Sequence, residues 1–115
     1  MNYDLLMHMD MESQDTLDMA LGNIENYMAA LPGEPFRVAL VANSGAVKLF
    51  TKANFGASFK VAGLRAKGVE FKLCANSLKK FAIPVEELME GCEVIPAGIV
   101  EVVRLQREGY AYVKP

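Results

Sequence analysis

The chain has 115 residues, enough for one domain around a single core, and we interpret residues 1–115 as one domain. Apolar residues make up 52% of it and charged residues 23%, which is too apolar for a disordered protein, and no apolar run approaches the ~20 residues that a membrane span needs. The 12 basic and 14 acidic residues are scattered along the chain, so we expect a protein that binds neither nucleic acid nor membranes.

The first ten residues carry neither the cationic start nor the long apolar run of a secretory signal, so we expect a cytoplasmic protein. In a reducing cytoplasm the two cysteines, Cys74 and Cys92, would be free thiols, because they have neither the number of a disulfide framework nor the spacing of a zinc site. The glycine-rich loops that bind nucleotides are missing, and the acidic residues after the first strand match no calcium loop. We therefore predict no metal and no cofactor.

The first half of the chain alternates short apolar runs with amphipathic stretches. Residues 3–9 predict a buried strand, and a helix follows that begins near Ser13 or Asp15 and stops at Pro32. Residues 36–42 predict a second strand, which leads directly into the turn Asn43-Ser44-Gly45. Residues 46–66 predict two helical pieces separated at residues 51–54, and the second piece has four residues in helical spacing, Phe55, Phe59, Ala62 and Ala66.

The second half continues the alternation. Residues 69–74 predict a third strand, with Asn76 or Ser77 as the N-cap of a short helix. A short helix through Met89 should start at Pro84, and residues 92–95 and 110–113 predict the last two strands. Between them lies a helix with one side marked by Ile99, Val102, Val103 and Gln106. Five strands alternating with helices predict an α/β fold, a three-layer α/β/α sandwich around a mainly parallel five-stranded sheet.

Ligands of open parallel sheets bind beyond the carboxyl ends of the strands, which here are the loops at residues 8–10, 43–45, 74–77 and 96–98. Cys74 is the only strong nucleophile among them. A thiol just before a helix start is favoured as thiolate, so Cys74 is the candidate catalytic residue, although a small buried residue ending a strand would look the same. Cys92 precedes a strand, so we expect it at the opposite edge of the sheet in a structural role.

The other candidates in these loops are polar or small. His8, the only histidine, could carry a proton or orient a ligand, or it could be a packing residue. Asn43 and Ser44 could bind an anion or serve only as helix caps. The candidate ligand-binding residues are His8, Asn43, Ser44, Asn76, Ser77 and Gly98.

Three segments of the sequence resemble the DsrE/DsrF-like family of sulfur-relay proteins, and the resemblance covers nearly the whole chain. The segments are the Cys-x-Asn-Ser/Thr-Leu turn at Cys74, the Val-Ile-Pro-Ala-Gly turn at residues 94–98 and the ending Gln-Arg-Glu-Gly-Tyr-Ala-Tyr-Val-Lys-Pro. The strand that ends at His8 is a weaker match. The resemblance implies a three-layer α/β domain that assembles into trimers or hexamers and carries sulfane sulfur as a persulfide on Cys74.

Two hypotheses of different class follow. In the first, the Cys74 thiolate accepts a sulfane sulfur from a donor and passes it to a partner thiol without metal or cofactor. In the second, the protein is a non-catalytic oligomeric binding module, in which Cys74 only lines a pocket for a small anionic or thiol ligand. The sequence leaves both hypotheses open.

Overall fold

Five short strands form one sheet in the computed structural model, which describes residues 1–115. All four strand pairings are parallel and the strand order is β4-β3-β2-β1-β5, which confirms the predicted mainly parallel sheet. Every residue of the neighbouring strands β1 and β2 is buried, as expected for continuous apolar runs in a sheet covered on both faces. The strands are β1 Leu5–Met9, β2 Val38–Ala42, β3 Glu70–Cys74, β4 Glu93–Ile95 and β5 Ala111–Val113.

The helices begin and end close to the predicted positions. The Ser13 hydroxyl accepts the Thr16 N–H at 3.2 Å and caps the first helix, which confirms the predicted start. The helix predicted at Pro84 is only a 3-10 turn, Val85–Glu87. The four α-helices are α1 Gln14–Ala30, α2 Phe55–Ala66, α3 Ala75–Lys80 and α4 Gly98–Arg107, and a 3-10 helix, Ser44–Phe50, precedes α2.

The two faces of the sheet are covered unequally. The larger hydrophobic cluster joins one face to α1, α2, α3 and the first 3-10 helix. A smaller cluster of seven residues joins the other face to α4 alone. This arrangement is the predicted three-layer sandwich. Because side chains alternate along a strand, Lys72 and Cys74 of β3 and His8 of β1 all lie on the α4 face.

The buried side of α2 is not the side marked by the helical spacing of Phe55, Phe59, Ala62 and Ala66. Ala57, Val61 and Leu64 pack into the core, whereas Phe55 and Phe59 are 81% and 85% exposed. Apolar residues occur on both sides of this helix, so spacing alone could not choose between two apolar stripes. The prediction selected the stripe that contains the larger side chains, and that stripe faces outward.

Of the four residues that mark one side of α4 in the sequence, only Val102 is buried. Ile99 and Val103 are exposed, while Val102 and Leu105 are buried together with the charged residue Glu101. A buried glutamate on a helix cannot be recognised as core from its hydrophobicity. Its burial is explained by Lys72, whose ammonium lies 2.6 Å from the Glu101 carboxylate.

No helix combines the length and the apolar character that crossing a bilayer requires.

Candidate functional site

Cys74 ends β3 and is itself the N-cap of α3, so the helix begins two or three residues earlier than predicted. The predicted caps, Asn76 and Ser77, lie inside the first turn. The prediction was wrong because asparagine and serine are favoured caps, whereas here the backbone turns into the helix directly at the strand end. Cys74 is only 5% exposed. The first backbone N–H groups of α3 are therefore close to the sulfur.

Several hydrogen-bond donors surround the Cys74 sulfur. Burial raises the pKa of the thiol, but the nearby Ser77 hydroxyl and the backbone N–H groups of Gly98, Ser77 and Asn76 lower it by more. The pKa of Cys74 is consequently below its ordinary value. These four groups, together named the sulfur cradle, favour the thiolate over the thiol.

The Ser77 hydroxyl is held in place from its other side. Its oxygen accepts the backbone N–H of Ser44 at 2.7 Å, which leaves its own proton free to point to the sulfur of Cys74. Ser44 has a φ of 53°, a left-handed conformation that few residues other than glycine adopt. The turn after β2 therefore contributes to the cradle through the backbone of Ser44.

His8 and Asn43 form a second polar group beside the cradle. The Asn43 side-chain oxygen lies 2.7 Å from Nε2 of His8, which is only 7% exposed. Asn43 precedes the first 3-10 helix but makes no side-chain capping bond, so it is not the simple cap that was one alternative for it. Because its oxygen can only accept, Nε2 of His8 carries the proton.

The hydroxyl of Tyr112 lies 2.6 Å from Nδ1 of His8. With Nε2 protonated, Nδ1 is an acceptor and the Tyr112 O–H donates to it. No local sequence pattern pointed to Tyr112, which lies 104 positions from His8 along the chain. The only available signal was its place in the last strand, where alternation puts it on the same face as His8 once the β1–β5 pairing is known.

The sulfur cradle and the pair of His8 and Asn43 meet at Gly98. A β-carbon built on Gly98 would lie 2.9 Å from the Asn43 β-carbon and 3.3 Å from that of Cys74. The register of the sheet agrees, because Ala42 pairs with Leu73 and the residues that follow them are Asn43 and Cys74. The structure thus brings His8, Asn43, Ser44, Cys74, Ser77 and Gly98 to one place at the carboxyl edge of the sheet.

The side chain of Asn76 is the exception among the candidate residues. It is exposed and makes no hydrogen bond within the chain, so Asn76 contributes only its backbone N–H to the sulfur. No cavity of the chain is lined by Cys74. No group of three or more His, Cys, Asp or Glu side chains is placed to hold a metal ion.

Cys92 lies at the opposite edge of the sheet from Cys74. It immediately precedes β4, at the amino edge, and packs against the larger hydrophobic cluster. Burial raises the pKa of this thiol to about 11. The two cysteines therefore have opposite shifts, with thiolate favoured at Cys74 and disfavoured at Cys92.

An ion cluster around the buried pair of Lys72 and Glu101 lies behind the site. Lys72, two residues before Cys74, contacts Glu101, with Glu70 at 3.5 Å and Glu93 at 4.0 Å. Glu101 also accepts hydrogen bonds from Arg104. The cluster fastens α4 to β3, and so supports the position of Gly98 at the first turn of α4.

The comparisons with known proteins agree with this architecture. A solved structure described as a protein of unknown function, MTH1491 from Methanobacterium thermoautotrophicum, is 32% identical, with a TM-score of 0.91 over 99% of this chain and 100% of that one. The ychN protein of E. coli shares the fold, with a TM-score of 0.78 and 16% identity over 98% of this chain and 99% of that one. Among curated proteins, none matches the chain significantly.

The sequence model of the DsrE/DsrF-like family matches residues 6–115. This range contains the whole of the site and all five strands, apart from the first residue of β1. This chain therefore belongs to the DsrE/DsrF-like family.

Proposed function

We propose that the protein is a sulfur carrier that holds a sulfane sulfur as a persulfide on Cys74 and passes it to a partner thiol. The observation that carries the proposal is the position of Cys74 at the start of α3, beside a Ser77 hydroxyl fixed by Ser44, because these surroundings favour the thiolate that attacks a sulfane donor. Membership of a family that is generally related to sulfur relay agrees with it. The chemistry needs neither a metal nor an organic cofactor.

The proposed transfer balances in two steps. In the first, the Cys74 thiolate attacks the outer sulfur of a donor R–S–SH, the S–S bond to the donor breaks, and R–S⁻ leaves with the electron pair. Cys74 then bears S–SH, which releases its proton to water. In the second, the outer sulfur takes a proton back from water, the thiolate of an acceptor attacks this sulfur, and the Cys74 thiolate leaves. No net oxidation occurs, and the protein returns to its starting state.

The arrangement of the site fits a small cargo. Cys74 is nearly buried and lines no cavity of the single chain, so the site has no room prepared for an organic ligand beside the thiol. One sulfur atom needs little more space than a methyl group. This favours the carrier over the alternative of a module that binds a small anionic or thiol ligand around Cys74.

We further propose that the protein works as a homo-oligomer of three or more chains. Two exposed apolar surfaces support this: the outer stripe of α2, with Phe55 and Phe59, and the outer surface of α4, formed by Ile99, Val100 and Val103. The donor and the acceptor would be separate proteins or small thiols that approach the carboxyl edge of the sheet.

The experiment is sulfur loading followed by intact mass measurement. The reduced protein is incubated with inorganic polysulfide and desalted without reductant, and its intact mass is measured. The variants Cys74→Ser and Cys92→Ala are treated in parallel. We expect one added sulfur on the wild type and on Cys92→Ala, and none on Cys74→Ser, which keeps the shape of the side chain but is a far weaker nucleophile. A wild-type protein that takes up no sulfur would favour the binding module.

A further inference from the structure

Loading moves the negative charge away from the cradle. In a thiolate the charge is on the Cys74 sulfur, beside the four groups of the cradle. In a persulfide anion the charge is on the outer sulfur, about 2 Å further along the S–S bond. Donors placed to bind the inner sulfur do not reach the outer sulfur. A stable persulfide therefore needs a donor beyond the cradle.

Asn43 is placed to supply it. Its β-carbon and that of Cys74 would both contact a single methyl group at Gly98, and the two residues are neighbours across the ends of β2 and β3. The Asn43 oxygen is already bound to His8, while its Nδ2 has no hydrogen-bond partner in the chain. Both amide protons of Asn43 are thus available at the edge of the cradle.

The orientation of this amide depends on His8. With Nε2 protonated, His8 binds the oxygen of Asn43 and leaves the N–H groups free. In the other tautomer Nε2 would be an acceptor, the amide would rotate, and one of its N–H groups would be used on the histidine. The Tyr112 hydroxyl donates to Nδ1 in the observed arrangement, and His8 is too buried to turn to water instead.

We propose that Asn43 donates a hydrogen bond to the outer sulfur of the Cys74 persulfide, and that His8 and Tyr112 are positioning residues that fix its amide. This inference rests on the proposed carrier function. It assigns to Asn43 a contact made only after loading, and to Tyr112 a role in the site although it does not touch the sulfur.

The first test compares two identical changes on either side of the cradle. Asn43→Asp keeps the oxygen that accepts the His8 N–H but replaces both donors with a carboxylate oxygen. Asn76→Asp introduces the same carboxylate next to Cys74 at a side chain that has no partner. After loading with polysulfide, the measurement is the rate at which the added sulfur is lost, followed by intact mass.

We expect the sulfur to be lost about tenfold faster from Asn43→Asp than from the wild type, the size of one hydrogen bond to a charged group. The Asn76→Asp protein should lose it within about twofold of the wild-type rate, as expected for an exposed charge in salt. Equal lifetimes in wild type and Asn43→Asp, or equal losses from the two variants, would overturn the inference while the carrier function stands. Failure of the wild type to load would overturn both.

The second test first examines the protein without added sulfur. His8 is the only histidine, so nitrogen-15 labelling of histidine gives one imidazole to follow by NMR. The expected wild-type arrangement has a proton on Nε2, which Asn43 accepts, and none on Nδ1, which accepts from Tyr112. In Tyr112→Phe, Nδ1 loses its donor, so we expect a mixture of tautomers together with a faster loss of the added sulfur and an unchanged rate of thiol alkylation. A wild-type proton on Nδ1 would contradict the assigned amide orientation.

Discussion

The Lys72 ammonium and the Glu101 carboxylate lie 2.6 Å apart between β3 and α4, and both side chains are at least nine-tenths buried. Such a pair is costly to break from one side, because the remaining charge stays buried without its partner. The first residue of α4 is Gly98, which touches Cys74. The ion pair therefore affects both stability and the geometry of the site.

Glu101→Gln should lower the free energy of unfolding by roughly 2 kcal/mol, less than for an isolated buried pair because Glu70 and Glu93 remain near Lys72. Chemical denaturation measures this. Glu108→Gln is the matched control, since Glu108 pairs with arginines on the surface and should change stability by less than about 0.5 kcal/mol. Equal effects of the two substitutions would contradict the importance of the buried pair.

The same pair predicts a pH dependence. Hydrogen bonds from Arg104, and then from Lys72, overcome the opposing effect of burial and lower the pKa of Glu101 to about 2. A carboxyl group whose folded pKa lies below its unfolded value of about 4.3 stabilises the fold fully above the unfolded value and loses that contribution as the pH falls through the folded value. The stability difference between wild type and Glu101→Gln should therefore shrink between about pH 4 and pH 2. A constant difference would contradict this origin.

Ser77→Ala and Asn76→Ala should separate the side chain that acts on the Cys74 sulfur from the one that does not. Ser77→Ala removes the hydroxyl donor and leaves the Ser44 N–H without its partner, so the pKa of Cys74 should rise and its alkylation near neutral pH should slow. Asn76→Ala keeps the backbone N–H, so alkylation should keep its rate. The measurement is the rate of iodoacetamide alkylation against pH, and slower alkylation in Asn76→Ala would show that its side chain acts after all.

Cys92 should be unreactive and dispensable for loading. Burial raises the pKa of its thiol to about 11, and it lies at the amino edge of β4. Cys92→Ala should cost about 1 kcal/mol of stability through lost packing and leave alkylation of Cys74 unchanged. Mass mapping of the alkylated wild type at pH 7 should find the label on Cys74 first. A label that appears first on Cys92 would refute the assignment of the reactive thiol.

Gly98→Ala should damage the site without straining the backbone. Its φ is not positive, but the added methyl would lie 2.9 Å from Asn43 and 3.3 Å from Cys74, which forces one of the two side chains to move. We expect the Gly98→Ala protein to have a lower free energy of unfolding and to take up severalfold less sulfur than the wild type. Gly22→Ala in the middle of α1 has free space around it and should stabilise the protein by about 0.5–1 kcal/mol. Wild-type loading by Gly98→Ala would mean that the contact is not needed.

Light scattering at micromolar concentration should report at least three chains. Val100→Glu on the outer surface of α4 and Phe59→Glu on the outer stripe of α2 each place a charge in one exposed apolar surface. If the chains associate through one of these surfaces, only the variant in that surface should dissociate, because a buried unpaired charge is costly. A wild-type monomer would refute the oligomer.

The strands and the position of Cys74 could be predicted because each depends on neighbours in sequence. Continuous apolar runs predict buried parallel strands, and the turn after each run places its residues at the carboxyl edge. The buried sides of α2 and α4 could not be predicted, because one helix has two apolar stripes and the other buries a glutamate that is neutralised from β3. The same limit applies to the cap of α3, where backbone geometry overrode residue preference.

The partners of His8 could not be predicted either, because they are distant in sequence. Its two nitrogens bind Asn43 and Tyr112, which lie 35 and 104 positions away. Whether His8 would be a proton carrier, a ligand or a packing residue depended on which strands lie on each side of β1. No local sequence pattern predicts that order, in which β2 lies on one side of β1 and β5 on the other.

The bond between His8 and Tyr112 joins a residue near the start of the chain to one near its end, across the edge of the sheet formed by the exposed strand β5. A molecule whose last strand has frayed, or has been removed by a protease, loses this bond and loosens Asn43, although the thiol itself stays on β3. Such a damaged molecule would still accept sulfur but would release it early. Retention of cargo would thereby be limited to molecules in which β5 is paired with β1.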